Sequence, residues 1–166
     1  MSVRIALACA VMSSASCVTE GPPPRDPPRP IPAQPEGIQA TAMSFNVGTY
    51  TTDDDGNGFV DTFDATVYLF NEQYAFALSL PGSLRFTLAD REGRPLARWT
   101  FDETQAAALR RDLPPGPGYL VRLSLLNVGG DSFEKGVAEL SCEFVPANGL
   151  VVRSKGARPV RIGNVR

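Results

Sequence analysis

Three observations predict an antiparallel β-sandwich for the body of this 166-residue chain. Apolar residues alternate with polar ones from about Gln39 onward, turn-forming residues punctuate the chain at short intervals, and several alternating runs are apolar on both sides. Alternation marks a strand with one buried face. A single antiparallel sheet leaves its other face wet, so strands apolar on both sides call for a second sheet packed on the first. The expectation is seven or eight strands and one short helix within a domain spanning 39–166. A domain of this size buries roughly two-thirds of its unfolded surface and needs no disulfide to fold.

The elements follow in order. In Met43-Ser44-Phe45-Asn46-Val47 alternate residues are apolar, and 65–70 (ATVYLF) is rich in β-formers. Leu84, Phe86 and Leu88 alternate with Arg85 and Thr87. The turn Asp90-Arg91-Glu92-Gly93 then leads into 96–101, where Ala97, Trp99 and Phe101 share a face, as in a hairpin. A helix is predicted over 103–111: Asp102 can cap it, Gln105 stands three residues on, and the AAAL run has high helix propensity. The Pro/Gly stretch 114–118 ends it. Tyr119, Val121, Leu123 and Leu125 alternate along the next strand, and Gly129-Gly130 breaks the chain. Ala138, Leu140, Cys142 and Phe144 share one face of 137–145. Asn148-Gly149 predicts a two-residue hairpin turn into Leu150-Val151-Val152. A last short strand includes Val160 and Ile162.

The amino terminus has a different composition. Arg4 precedes an apolar run over 5–12, followed by small residues up to Cys17, the arrangement of an export signal over 1–16. Eight apolar residues are too few for a helix to span a hydrocarbon core of about 30 Å. The sequence Ser13-Ser14-Ala15-Ser16-Cys17 resembles a bacterial lipobox, with serine at the position usually held by leucine. The resemblance implies cleavage before Cys17 and lipid on its thiol. It places the protein in a bacterial envelope, anchored to the membrane; the alternative is a soluble periplasmic or secreted protein cut near Ala15. Residues 20–37 hold eight prolines, so 17–38 is expected to be an extended tether. At about 3.1 Å per residue its proline-rich part reaches roughly 55 Å.

The segment 53–64 (DDDGNGFVDTFD) carries the chemistry. Asp53, Asp55 and Asn57 occupy positions 1, 3 and 5, Gly58 position 6, Phe59 position 7, Asp61 position 9 and Asp64 position 12. Calcium takes six to eight oxygens, which a short loop supplies from alternate side chains and one backbone carbonyl, here that of Phe59, with glycine at the sharp bend. The pattern resembles the EF-hand loop. Asp64 replaces the usual glutamate, as in dockerin-type loops; being one methylene shorter, it needs a closer backbone to bind through both oxygens. The flanks read as strands, so the resemblance implies a lone Ca2+ loop joining two strands rather than a paired helical hand. The plain alternative is an Asp/Gly surface turn, although five carboxylates in twelve residues repel one another unless a cation intervenes.

The chain contains no histidine, which excludes Ser-His-Asp and Cys-His catalysis and the commonest zinc sites. No catalytic residue is assigned. Cys142, among apolar alternates, reads as a buried small hydrophobe. The net charge of −2 together with export argues against a nucleic-acid partner. Arg153, Lys155, Arg158, Arg161 and Arg166 make 150–166 basic, read as a solvated, partly disordered tail able to meet acidic headgroups or an anionic polymer. The leading expectation is a binding or structural module with an envelope partner. A carbohydrate- or polymer-binding domain would use Trp99, with Tyr68 and Tyr119, as a stacking platform. A carboxylate-based hydrolase, using a pair such as Asp90 and Glu92, ranks third.

Overall fold

The computed structural model describes residues 32–164. The expected signal peptide (1–16), the lipidation residue Cys17 and most of the 17–38 tether lie outside the described residues. The body is a sandwich of two antiparallel sheets with one short helix. The strands are β1 (Ala42–Thr52), β2 (Phe59–Val60), β3 (Thr62–Asn71), β4 (Tyr74–Leu78), β5 (Gly82–Ala89), β6 (Pro95–Phe101), β7 (Arg110–Leu113), β8 (Gly116–Ser124), β9 (Gly136–Pro146), β10 (Val152–Arg153) and β11 (Arg158–Asn164). One sheet runs β1-β3-β8-β7, with β4 also paired to β3; the other runs β2-β11-β9-β5-β6, with β10 beside β9.

The alternation read from the sequence is the alternation of burial. Along β3, Phe63, Ala65, Val67 and Leu69 are buried; along β9, Ala138, Leu140, Cys142 and Phe144 are. These side chains meet those of Phe45, Leu84, Phe86, Leu88, Val121 and Leu123 in one core between the sheets. Phe86 packs its ring 6.0 Å from that of Phe45 and 5.9 Å from that of Phe101, the latter edge-on. Such offset and edge geometries suit the aromatic quadrupole. Cys142 is buried, and burial, with the neighbouring Glu143 charge, pushes its thiol well above the usual range.

Eleven strands replace the expected seven or eight because short paired segments carry little pattern of their own. β2 has two residues and lies inside the acidic loop. The helix predicted over 103–111 is shorter: α1 covers Glu103–Leu109, and Arg110 and Arg111 open β7 instead. Its start is the expected capping box: Asp102 accepts from the Gln105 backbone N–H, and the Gln105 side chain accepts from the Asp102 N–H. From Arg110 the chain pairs with β8, Arg110 opposite Tyr119, and sheet hydrogen bonding overrides local propensity. Gly118, facing this strand, has Tyr68 where a Cβ would lie 2.6 Å from the ring.

Three further expectations change at the ends. Asn148-Gly149 does not make a two-residue hairpin, since pairing resumes only at Val152 opposite Phe144, leaving Ala147 to Val151 as a longer loop. As far as Asn164 the basic segment is not a loose tail, and Arg166 lies outside the described residues: β11 pairs with β9 and β2, Arg158 donates from Nε to the Phe45 carbonyl at 2.9 Å, and Arg153 pairs with Glu143. Strand pairing satisfies the backbone of this stretch, while the side chains of Arg153, Lys155, Arg158 and Arg161 stay exposed. The folded body also reaches back before Gln39. The Gln34 side chain donates to the Ser79 carbonyl and accepts from the Ser79 N–H at 2.8 Å, and Tyr74 Oη donates to the Pro32 carbonyl.

Truncating Phe86 to alanine removes the ring that joins both sheets, and chemical denaturation should show a loss of about 3–5 kcal/mol. Cys142 should resist thiol reagents in the native protein and react only on unfolding; rapid native labelling would contradict its burial.

Candidate metal centre

The acidic segment lies where the chain changes sheets. β1 ends at Thr52 paired with Thr62 of β3 in one sheet. Between them the chain crosses to the other sheet, where β2 pairs with β11, Val60 opposite Gly163 and Phe59 opposite Asn164. The chain makes this crossing and returns within residues 53–61, a turn whose inward backbone N–H groups are accepted by acid side chains.

Asp53 takes most of these. Its Oδ1 accepts from the N–H groups of Gly56 (2.8 Å) and Asn57 (3.1 Å), and its Oδ2 from Gly58 (2.7 Å). Gly58 has φ +90, the left-handed bend expected at the sixth position, which a side chain would strain. Asp55 accepts from the backbone and side-chain nitrogens of Asn57, each at 3.1 Å. Asn57 Oδ1 accepts from Phe59 N–H at 2.8 Å.

Asp61 is fully buried. Its Oδ2 accepts from the N–H groups of Asp54 (2.7 Å) and Asp55 (3.3 Å), while its Oδ1 is buried with no hydrogen-bond donor. Its backbone is fixed as well: the N–H donates to Thr52 and the carbonyl accepts from Leu125 N–H at 2.7 Å. One oxygen from each of Asp53, Asp55 and Asp61 lies within 4.8 Å of the others. Three carboxylates at this spacing, one of them buried, form a group that can hold a hard cation through oxygen.

Asp64, expected at the twelfth position, does not join them. It lies exposed on β3, opposite Arg122 of β8. In a helical hand the chain curls back after the loop. Here it extends at about 3.3 Å per residue, which carries Asp64 roughly 10 Å beyond Asp61 and turns it to the solvent face. Phe59 opens β2 opposite Asn164.

Asp54, which the loop pattern leaves unassigned, faces outward and binds Arg122 through both oxygens, at 2.7 and 2.8 Å. It also accepts from Thr62 Oγ1 at 3.0 Å. The Arg122 hydrogen bond, then that of Thr62, holds its carboxyl below the ordinary aspartate value. Asp131, from the β8–β9 connection, was also missed. It is 4 % exposed and accepts from Asn57 Nδ2 at 2.9 Å. Nothing in the local sequence marks it beyond the preceding Gly129-Gly130 break, because its partner is 74 residues away.

The other candidates fall elsewhere. Trp99 is 6 % exposed and donates from Nε1 to the Ser124 carbonyl at 2.9 Å, so its indole braces the core and offers no open face for a sugar ring. Tyr119 is buried likewise and donates to the Leu80 carbonyl. Asp90 accepts from the N–H groups of Glu92 and Arg94 and, with Glu92, binds the Arg94 guanidinium; both acids serve the β5–β6 turn. Cys17 lies outside the described residues. Comparison with known family models, curated proteins and solved structures gave no match to this chain.

Because the folded-state value of Asp54 is depressed, its stabilising contribution is complete above the ordinary aspartate range and is lost as pH falls through that lower value. An NMR titration should place the Asp54 midpoint below that of an exposed aspartate, and Arg122→Gln should move it back up. An unmoved midpoint would rule out the pair as its cause.

Proposed function

We propose that this chain is a calcium-stabilised β-sandwich displayed in a bacterial envelope, where it acts as a binding or structural module. The observation that carries the metal reading is the buried, donor-free Oδ1 of Asp61 beside the carboxylates of Asp53 and Asp55. An ionised carboxylate inside a protein requires donors or a cation, and the backbone provides for only one of its oxygens. Calcium fits better than zinc or a soft metal because every donor offered is oxygen. The residues proposed to hold it are Asp53, Asp55 and Asp61, with the Asn57 side chain and the Phe59 carbonyl as further oxygens.

Its role is structural. The ion would join β1, β2 and β3 at the point where the chain passes between sheets, replacing the staple that a disulfide supplies in many exported domains. With a dissociation constant of ~10⁻⁴ to 10⁻³ M, typical of extracellular modules, millimolar calcium adds about 0.4–1.4 kcal/mol to stability. Envelope anchoring through lipid on Cys17 rests on the sequence alone.

Calcium should raise the melting temperature of the chelator-treated protein by several degrees, and Asp55→Ala should remove that increment. An identical melting curve with and without calcium would sink the metal reading. Mass spectrometry of the mature amino terminus should find diacylglycerol on Cys17; an unmodified terminus near Ala15 would leave a soluble exported protein.

A further inference from the structure

We propose that Asp131 is a positioning residue of the metal centre, supplied from outside the acidic loop, and that it takes over the charge role which the loop pattern assigns to Asp64. This rests on the calcium reading above. The loop alone presents three clustered carboxylates, and its twelfth residue has left on β3. The amide of Asn57 then links the cluster to a fourth acid: Nδ2 donates to Asp55 Oδ2 at 3.1 Å and to Asp131 Oδ2 at 2.9 Å. Carboxylates only accept, so this pair of bonds decides which end of the amide is nitrogen and directs the other end, Oδ1, to the loop interior beside Phe59 N–H. A carboxylate that orients a ligand side chain in this way tunes the site without touching the ion.

Asp131 is itself held for the task. It follows a single 3₁₀ turn (Leu125–Asn127) and two positive-φ glycines, Gly129 and Gly130, and its own carbonyl accepts from Phe133 N–H at 2.6 Å. The start of the same turn is tied to the loop, because Leu125 N–H donates to the Asp61 carbonyl. Two contacts therefore bind the β8–β9 connection to the loop, one at each end of the segment 125–131. The unpartnered Asp61 oxygen is the independent sign that this assembly is built around a cation. Arg122 is engaged by Asp54 on the outer face.

The charge of Asp131 has opposite consequences with and without the ion. In its absence a fourth acid, itself buried, adds repulsion, whereas with the ion bound the same charge attracts. A merely structural hydrogen bond would not behave so. The test measures calcium affinity by calorimetry, and melting in chelator, for the full chain purified in detergent, its Asp131→Asn and Asp131→Ala variants, and Asp64→Asn. Asp131→Asn keeps an acceptor for Asn57 but loses the charge. It should melt at or above wild type in chelator and bind calcium about tenfold more weakly; Asp131→Ala should bind at least as weakly, and Asp64→Asn should stay within about twofold of wild type. Asp131 variants that bind as wild type does, or an Asp64→Asn variant that loses binding instead, would overturn the inference while leaving the calcium reading intact. A wild-type protein that takes up no calcium would overturn both.

Discussion

The side chain on which the rest of this structure turns is a buried carboxylate at a crossing. Between Thr52 and Thr62 the chain leaves one sheet, pairs two residues with the other and returns. Asp61 lies at the return with its backbone bonded to Thr52 on one side and Leu125 on the other. Its Oδ2 closes the loop by accepting from Asp54 and Asp55, but its Oδ1 has no donor. Burying a charge in that condition is costly unless an opposite charge meets it. The gathering of Asp53 and Asp55 around it would raise that cost further, and three carboxylates so placed can hold a metal ion.

The two sheets are otherwise joined by ordinary means. Phe45, Phe63, Phe86 and Phe144 fill the space between them, and the polar groups that enter this core are bonded. Trp99 reaches across to the Ser124 carbonyl and Tyr119 to that of Leu80, while the exposed Arg158 bonds the Phe45 carbonyl from outside. Each ties a side chain to a backbone acceptor far along the chain, holding the layers in register without a disulfide. The acid centre differs from these contacts in gathering three carboxylates close enough to share a metal ion.

On the outer face the acids divide by role. Asp54 and Arg122 form an exposed pair, Asp90 and Glu92 secure a hairpin turn around Arg94, and Glu143 meets Arg153 across strands. Exposed pairs of this kind contribute little stability, and each has its counter-charge at hand. Among the described residues, Asp53, Asp55 and Asp61 are the acids that gather closely enough to hold a metal ion together.

What the sequence determined was whatever is written in neighbouring residues. Period-two alternation named the long strands and the buried face of each, down to Cys142 among apolar alternates; Asp102 and Gln105 named the helix start; and the spacing of Asp53, Asp55 and Gly58 named the loop. These are local signals, because side-chain direction in a strand and bonding in a tight turn depend on residues two to five apart. Only the tertiary structure decided that Asp64 turns away while Asp131 arrives from the β8–β9 connection, that Arg110 begins a strand instead of ending a helix, and that the basic carboxy-terminal stretch lies within a sheet. Each of those outcomes depends on a partner strand or loop distant in the chain, and the free energy of pairing with it exceeds the local preferences that composition and spacing record.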